Sequence, residues 1–167
     1  LVGSEMCIRD SIYGVTLKEL GRFEEAEASF KQAIALKENF AEAHNNLGIT
    51  LKELGRLEEA EASYRQTIAL KPDFAIVHNN LGNLLREMER LEEAEASYKQ
   101  AISLKADFAL AYSNLGVNYM ELARLEEATA NFKQAIAINP ELAETYNNLG
   151  VTLKKLHKLE EAEASYK

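Results

Sequence analysis

Hydrophobic residues recur along the chain with one short and one long spacing. Within segments of about a dozen residues, apolar side chains follow the i, i+3/i+4 spacing of one helical face, as Leu47, Leu51 and Leu54 do. The pattern then returns every 34 residues: GRFEEAEASF at 21–30, GRLEEAEASY at 55–64, ERLEEAEASY at 89–98, ARLEEATANF at 123–132 and HKLEEAEASY at 157–166. This period predicts tandem units that stack on one another, whereas a coiled coil would show unbroken heptads.

Each unit is predicted to contain two helices joined by a short turn. The second helix opens with a pair of glutamates, whose carboxylates favour the positive end of the helix dipole, and KPD or a variant of it ends that helix. Complete repeats occupy 41–74, 75–108 and 109–142, with a partial copy at 7–40 and a truncated copy at 143–167. We therefore expect nine helices from about residue 12, a shortened tenth at 160–167, and no strands.

Small and large residues alternate at fixed places in the repeat. Leu47 and Gly48 on the first helix are followed by Ala60 and Tyr64 on the second, with equivalents in the other copies. This order of Leu-Gly, Ala and aromatic residue resembles the tetratricopeptide repeat over residues 12–167. The resemblance implies an all-α fold, a right-handed α-solenoid of helix-turn-helix repeats whose first helices line a concave groove. His or Tyr stands where that family usually has Trp, and Thr67 replaces one of its alanines.

The two ends of the chain depart from the repeat. Residues 1–11, LVGSEMCIRDS, match no other copy and resemble a translated sequencing adapter, so we expect a non-native segment followed by a repeat array at 12–167. The array is expected to be a fragment of a longer protein, and its uncapped apolar ends predict self-association. The lack of a signal peptide is then uninformative about localisation. The cellular compartment is left undetermined, with the cytoplasm favoured.

Composition narrows the classes of partner. The net charge is −8, from 27 acidic and 19 basic residues, without a basic cluster. Nucleic acid and anionic membrane surfaces are therefore not expected as partners. No apolar run approaches the roughly 18 residues of a membrane helix. Cys7 is the only cysteine, so the chain cannot form an internal disulfide.

A ladder of asparagines runs along one face of the first helices. At 100° per residue, repeat positions 4, 7, 8, 11 and 14 face the stack, while positions 2, 5, 6, 9, 12 and 13 face the predicted groove. A primary amide offers a donor and an acceptor, which can bind a peptide backbone whatever its side chains. The candidate peptide-binding residues are Asn46, Asn80, Asn114 and Asn148 at position 6, Asn45, Asn79 and Asn147 at position 5, Ile49, Asn83 and Val117 at position 9, and Lys52 and Arg86 at position 12.

The ladder is similar to the asparagine ladder of protein O-linked N-acetylglucosamine transferases. The competing interpretation is that these asparagines suit a solvated helix face or a local contact between helices. Four net hydrogen bonds would give roughly 4 kcal/mol, which corresponds to millimolar affinity. Apolar residues such as Ile76 and Leu110 would have to supply further binding energy. A site of this kind is expected to show low selectivity for peptide sequence.

Two functions are compatible with these features. The first is a scaffold that binds an extended peptide or a partner protein. The alternative is the substrate-recruiting arm of an enzyme, either a glycosyltransferase such as a protein O-GlcNAc transferase or a sulfotransferase, whose catalytic domain lies outside this chain. A clamp for a C-terminal carboxylate is not expected, because position 2 holds Glu42, Ile76, Leu110 and Glu144 rather than Lys or Arg.

Catalytic residues, metals and cofactors are not expected within the chain. His44 and His78 occupy position 4, where the other repeats carry tyrosine, so they are interpreted as packing residues. The paired glutamates, such as Glu58 and Glu59, recur at helix starts and indicate a solvated outer face.

Overall fold

The computed structural model describes the backbone of residues 2–165 and the side chains of residues 5–157. Every regular element in this described part is a helix, which confirms the all-α prediction. The helices are α1 (Val2–Glu19), α2 (Phe23–Leu36), α3 (Ala41–Glu53), α4 (Leu57–Leu70), α5 (Ala75–Glu87), α6 (Leu91–Leu104), α7 (Ala109–Glu121), α8 (Leu125–Ile138) and α9 (Ala143–Ser165).

An arginine marks the start of each second helix from α2 to α8. In α4 the guanidinium of Arg56 binds both carboxylate oxygens of Glu59, with Nε 2.6 Å from Oε1, while the Arg56 carbonyl accepts a bond from the Ala60 amide. No side-chain oxygen caps these helix starts, so the acidic first turn supplies the negative charge that favours them. The preceding turn needs a left-handed backbone, which Gly55 provides with φ 74°.

Close approach of the two helices of a repeat depends on a glycine opposite an aromatic ring. A Cβ on Gly48 would lie 2.7 Å from Cε1 of Tyr64, and one on Gly116 would lie 2.5 Å from Cε1 of Phe132. Both rings are fully buried. The alternation of small and large residues in the sequence therefore reflects the contact between the two helices of these hairpins.

The chain divides into two compact units, Leu1–Leu84 and Leu85–Lys167. In the first unit, α1 packs on α2, α2 on α3 and α3 on α4. In the second, α6 packs on α7, α7 on α8 and α8 on α9. Each unit therefore consists of helices that contact their neighbours in sequence, as the 34-residue period predicts.

The last repeat differs from the prediction. A turn and a separate tenth helix at 160–167 were expected, but α9 continues through the turn positions to Ser165. The turn would place His157 where other repeats have a left-handed residue, at a cost of roughly 1–2 kcal/mol. A continuous helix avoids that cost. The sequence also predicts that a helix at 160–167 depends on packing against Leu149 and Leu153, because so short a helix is not stable alone. The side chains of 160–167 lie outside the described residues.

The divergent first residues are part of α1. Cys7 stands at the repeat position that holds Ala41 in the next copy, and it is buried against Ala33 and Ala43. The sequence predicts that SEMCIRDS is helical with Ser4 as its N-cap. The segment is helical, but α1 begins at Val2, so Ser4 lies inside the helix and is not its N-cap. The sequence also predicts poor packing of residues 1–3, whose side chains lie outside the described part. The origin of residues 1–11 stays a prediction.

Candidate functional site

A groove in the second unit is bordered by the first helices α7 and α9. It has a volume of about 370 Å³ and brings together four of the predicted site residues, namely Asn114 and Asn148 of the ladder, Val117 and Arg86. Leu110, Glu141 and Glu144 complete its polar and apolar walls. The groove thus offers primary amides, an apolar strip and carboxylates within one surface.

A smaller groove of about 230 Å³ lies in the first unit. Four predicted residues line it: Ile49, Lys52, Asn80 and Asn83. Glu53 and the edge of Tyr64 border it as well. Asn46, the remaining ladder residue of this unit, is half-buried on α3.

Of the three asparagines predicted to face the groove from position 5, none lines either groove described above, whereas Ser113 at the same repeat position does line the second-unit groove. Asn45 and Asn79 are buried, with 8% and 6% of their surface exposed, and only Asn147 is exposed. The helical period assigns a face within one isolated helix, but the next repeat also covers part of that face. Asn45 and Asn79 are therefore packing residues and not groove residues.

A hydrogen bond joins two asparagines of successive repeats in the first unit. The Asn80 amide donates from Nδ2 to Oδ1 of Asn45 over 3.2 Å. Part of the ladder therefore connects repeats, as the competing interpretation held. Substituting Asn80 would leave the buried Asn45 oxygen without this donor, so alanine at this position is expected to cost stability.

The second-unit groove carries more negative than positive charge. Nη1 of Arg86 lies 3.0 Å from Oε1 of Glu121, so an acidic neighbour already neutralises this guanidinium. Glu141 and Glu144 are exposed, and within the described residues neither forms an ion pair. Beside the groove, burial raises the pKa of Tyr98 to about 12, although the Arg86 charge and hydrogen bond partly oppose this. The groove is consequently suited to a basic ligand group.

Ion pairs that the sequence analysis missed join successive second helices. Arg56 contacts Glu27 of the preceding repeat over 2.7 Å, and Arg124 contacts Glu95 in the same way. Burial alone would raise the pKa of Glu95, but hydrogen bonds from Lys99 and Tyr119 outweigh it and hold that pKa below its ordinary value. The 34-residue recurrence of Arg and Glu was the available signal, but spacing does not reveal which Glu each Arg reaches.

The histidines have a structural role. Nε2 of His44 lies 3.0 Å from the Glu38 carbonyl oxygen, and Nε2 of His78 lies 2.9 Å from that of Pro72. Each imidazole therefore binds the loop that precedes its own helix. Among the residues that the structure describes, no three His, Cys, Asp or Glu side chains form a group that could hold a metal. None of the described helices combines the length and apolarity needed to cross a bilayer.

Helical hairpins that recur every 34 residues, with an aromatic ring opposite Gly14, Gly48 and Gly116, define an α-helical repeat protein. Family profiles agree on the kind of repeat: "TPR repeat" matches residues 14–55, 82–122 and 118–157, and "Tetratricopeptide repeat" matches 41–74. These matches cover more than half of the chain. The chain belongs to the tetratricopeptide repeat family.

Solved structures of the same fold include PilF, MamA and YrrB. PilF of Pseudomonas aeruginosa superposes with a TM-score of 0.87 at 22% identity, covering 99% of this chain and 76% of PilF. MamA gives 0.81 at 22% identity, covering 97% of this chain and 88% of MamA. YrrB, described as a TPR protein with an unusual peptide-binding site, gives 0.73 at 20% identity over 90% of this chain and 78% of YrrB. No curated protein sequence matches the chain significantly.

Proposed function

We propose that this chain is a protein-interaction scaffold that binds an extended peptide in the groove between α7 and α9. The observation that carries the proposal is that Asn114 and Asn148, one repeat apart, line the same groove as Leu110 and Val117. Amides supply donors and acceptors for a peptide backbone, and the two apolar side chains supply the contact area that hydrogen bonds alone would lack. The peptide-binding site of YrrB supports this use of the fold.

Charge indicates which peptides suit the groove. Glu141 and Glu144 are exposed at its wall, while Arg86 is paired with Glu121. A peptide that places Lys or Arg near these glutamates, beside an apolar residue over Leu110 and Val117, is complementary to the groove. The net charge of −8 further favours the approach of a basic segment and disfavours an acidic one.

The charge dependence can be tested with E144K and a matched control. E144K reverses a charge on the groove wall, and E126K makes the same change at an exposed residue of α8 that does not line the groove. Binding of an arrayed panel of short peptides, confirmed by fluorescence anisotropy, is the measurement. E144K should weaken binding of Leu-Arg peptides by roughly tenfold, about 1.4 kcal/mol, and E126K by much less. Equal losses in both variants, or no binding by the unmodified chain, would contradict the proposal.

A further inference from the structure

Position 6 of the repeat presents its amide differently at Asn80 and at Asn148. In the first unit the Asn80 amide donates to Asn45, the position-5 residue of the preceding repeat. In the second unit the equivalent position-5 residue is Ser113, which is too short to reach across in the same way. The Ser113 hydroxyl instead lies 2.8 Å from the hydroxyl of Thr145, and both groups are buried.

This difference leaves the Asn148 side chain unengaged. Among the described residues, no side chain or backbone group hydrogen-bonds to its amide, and only its backbone carbonyl accepts a bond, from Thr152. Asn148 nevertheless lines the groove with Leu110 and Val117. Its donor and acceptor are therefore available to a ligand without the loss of an existing protein hydrogen bond.

The first unit contains a second instance of the same relation. Asn46 follows a repeat whose position 5 is Ser11, and no described group hydrogen-bonds to the Asn46 side chain either. In these two cases position 5 is a serine, and the position-6 amide of the next repeat has no described hydrogen-bond partner. In the third case position 5 is Asn45, and the position-6 amide of Asn80 is hydrogen-bonded to it. The identity of position 5 thus correlates with the availability of position 6 in the next repeat.

We infer that Ser113 is a specificity-determining residue, which concentrates peptide-backbone recognition at Asn148 by leaving that amide free. The inference rests on the proposed peptide-binding function and adds where along the ladder the binding energy lies. A ligand amide that replaces water at Asn148 gains a hydrogen bond, whereas one that binds at Asn80 must compete with Asn45. The asparagines of the ladder therefore contribute unequally to peptide binding.

The test converts the second unit to the arrangement of the first. Val77 lies at position 3 of the repeat that contains Asn80, and Thr145 occupies the same position in the repeat that contains Asn148. The variant S113N is therefore made in a T145V background and compared with T145V alone. This pairing removes the Thr145 hydroxyl from both proteins. The fit of the new side chain has a precedent, because Asn45 is buried at the same position.

We expect S113N to weaken binding of a Leu-Arg peptide about fivefold, and to have no further effect in a chain that already carries N148A. NMR should show slower exchange of the Asn148 side-chain amide protons in S113N, and faster exchange of the Asn80 ones in N45S. Peptide binding that S113N leaves unchanged would overturn this inference alone. A chain that binds no peptide of the panel would overturn the proposed function, and this inference with it.

Discussion

Asn80 and Asn148 occupy the same repeat position, yet within the described part of the chain only Asn80 donates a side-chain hydrogen bond. N80A should lower the free energy of unfolding by about 1 kcal/mol, because the buried Asn45 oxygen loses its donor. N148A should leave stability unchanged or slightly higher, since alanine is the better helix former. Urea denaturation of the two variants is the measurement, and equal losses of stability would argue against different roles for the two amides.

Glycine at position 8 can be tested by a single methyl group. A Cβ on Gly116 would lie 2.5 Å from the buried Phe132 ring, whereas no described atom lies within 4 Å of a Cβ on Gly150. G116A should therefore cost about 1–3 kcal/mol of stability, because the ring cannot move without disturbing the core. G150A should be neutral or stabilising by up to about 1 kcal/mol. Thermal melting of both variants tests this, and a stable G116A would contradict the packing described for the hairpin.

At the scale of elements, ion pairs between second helices make stability depend on pH. The pKa of Glu95 lies below its ordinary value, so its charged form stabilises the fold above about pH 4.5 and that contribution is lost as the pH falls through the folded-state pKa. E95Q should lower the free energy of unfolding by about 1 kcal/mol at pH 7, a modest figure because Arg124 is 40% exposed.

The difference between E95Q and the unmodified chain should narrow below pH 4.5 and disappear at lower pH, where Glu95 itself is protonated. The matched control is E92Q in the same helix. The Glu92 carboxylate is exposed and forms no ion pair with a described residue. Denaturant unfolding over a pH series checks both variants. An E95Q deficit that persists unchanged at pH 3 would show that the carboxylate charge is not its source.

Much of the element level follows from the sequence, because the 34-residue period places the glycine, the aromatic residue and the helix starts together in each copy. The helices from α2 to α8 lie where that period predicts them. The prediction was wrong at α9, where a turn would require a left-handed backbone at His157. Helical periodicity does not contain this backbone cost.

The candidate site was only partly predictable for a related reason. Periodicity placed Asn114, Val117 and Asn148 on one face, and all three line the second-unit groove. It also placed Asn45 there, although that residue is buried under the next repeat. Which residues of a face stay open depends on the neighbouring repeat, and a helix treated alone does not contain that information.

At the scale of the whole molecule, this tetratricopeptide repeat chain has a net charge of −8 and a groove with an apolar strip. Among the described residues, one amide of the groove has no hydrogen-bond partner and two of its carboxylates form no ion pair. The charge should act over a distance and speed the encounter with basic segments at low ionic strength. The groove should then select extended peptides that place an apolar residue beside a basic one.

The measurement that tests this most directly is an NMR titration of the full chain with a Leu-Arg peptide, followed through backbone amide and asparagine side-chain signals. The account predicts that the largest shifts fall on Asn114, Val117 and Asn148, and that those on the outer-face Glu92 and Glu126 stay small. Shifts that centre on the outer glutamates, or a spectrum that the peptide leaves unchanged, would contradict binding in the groove between α7 and α9.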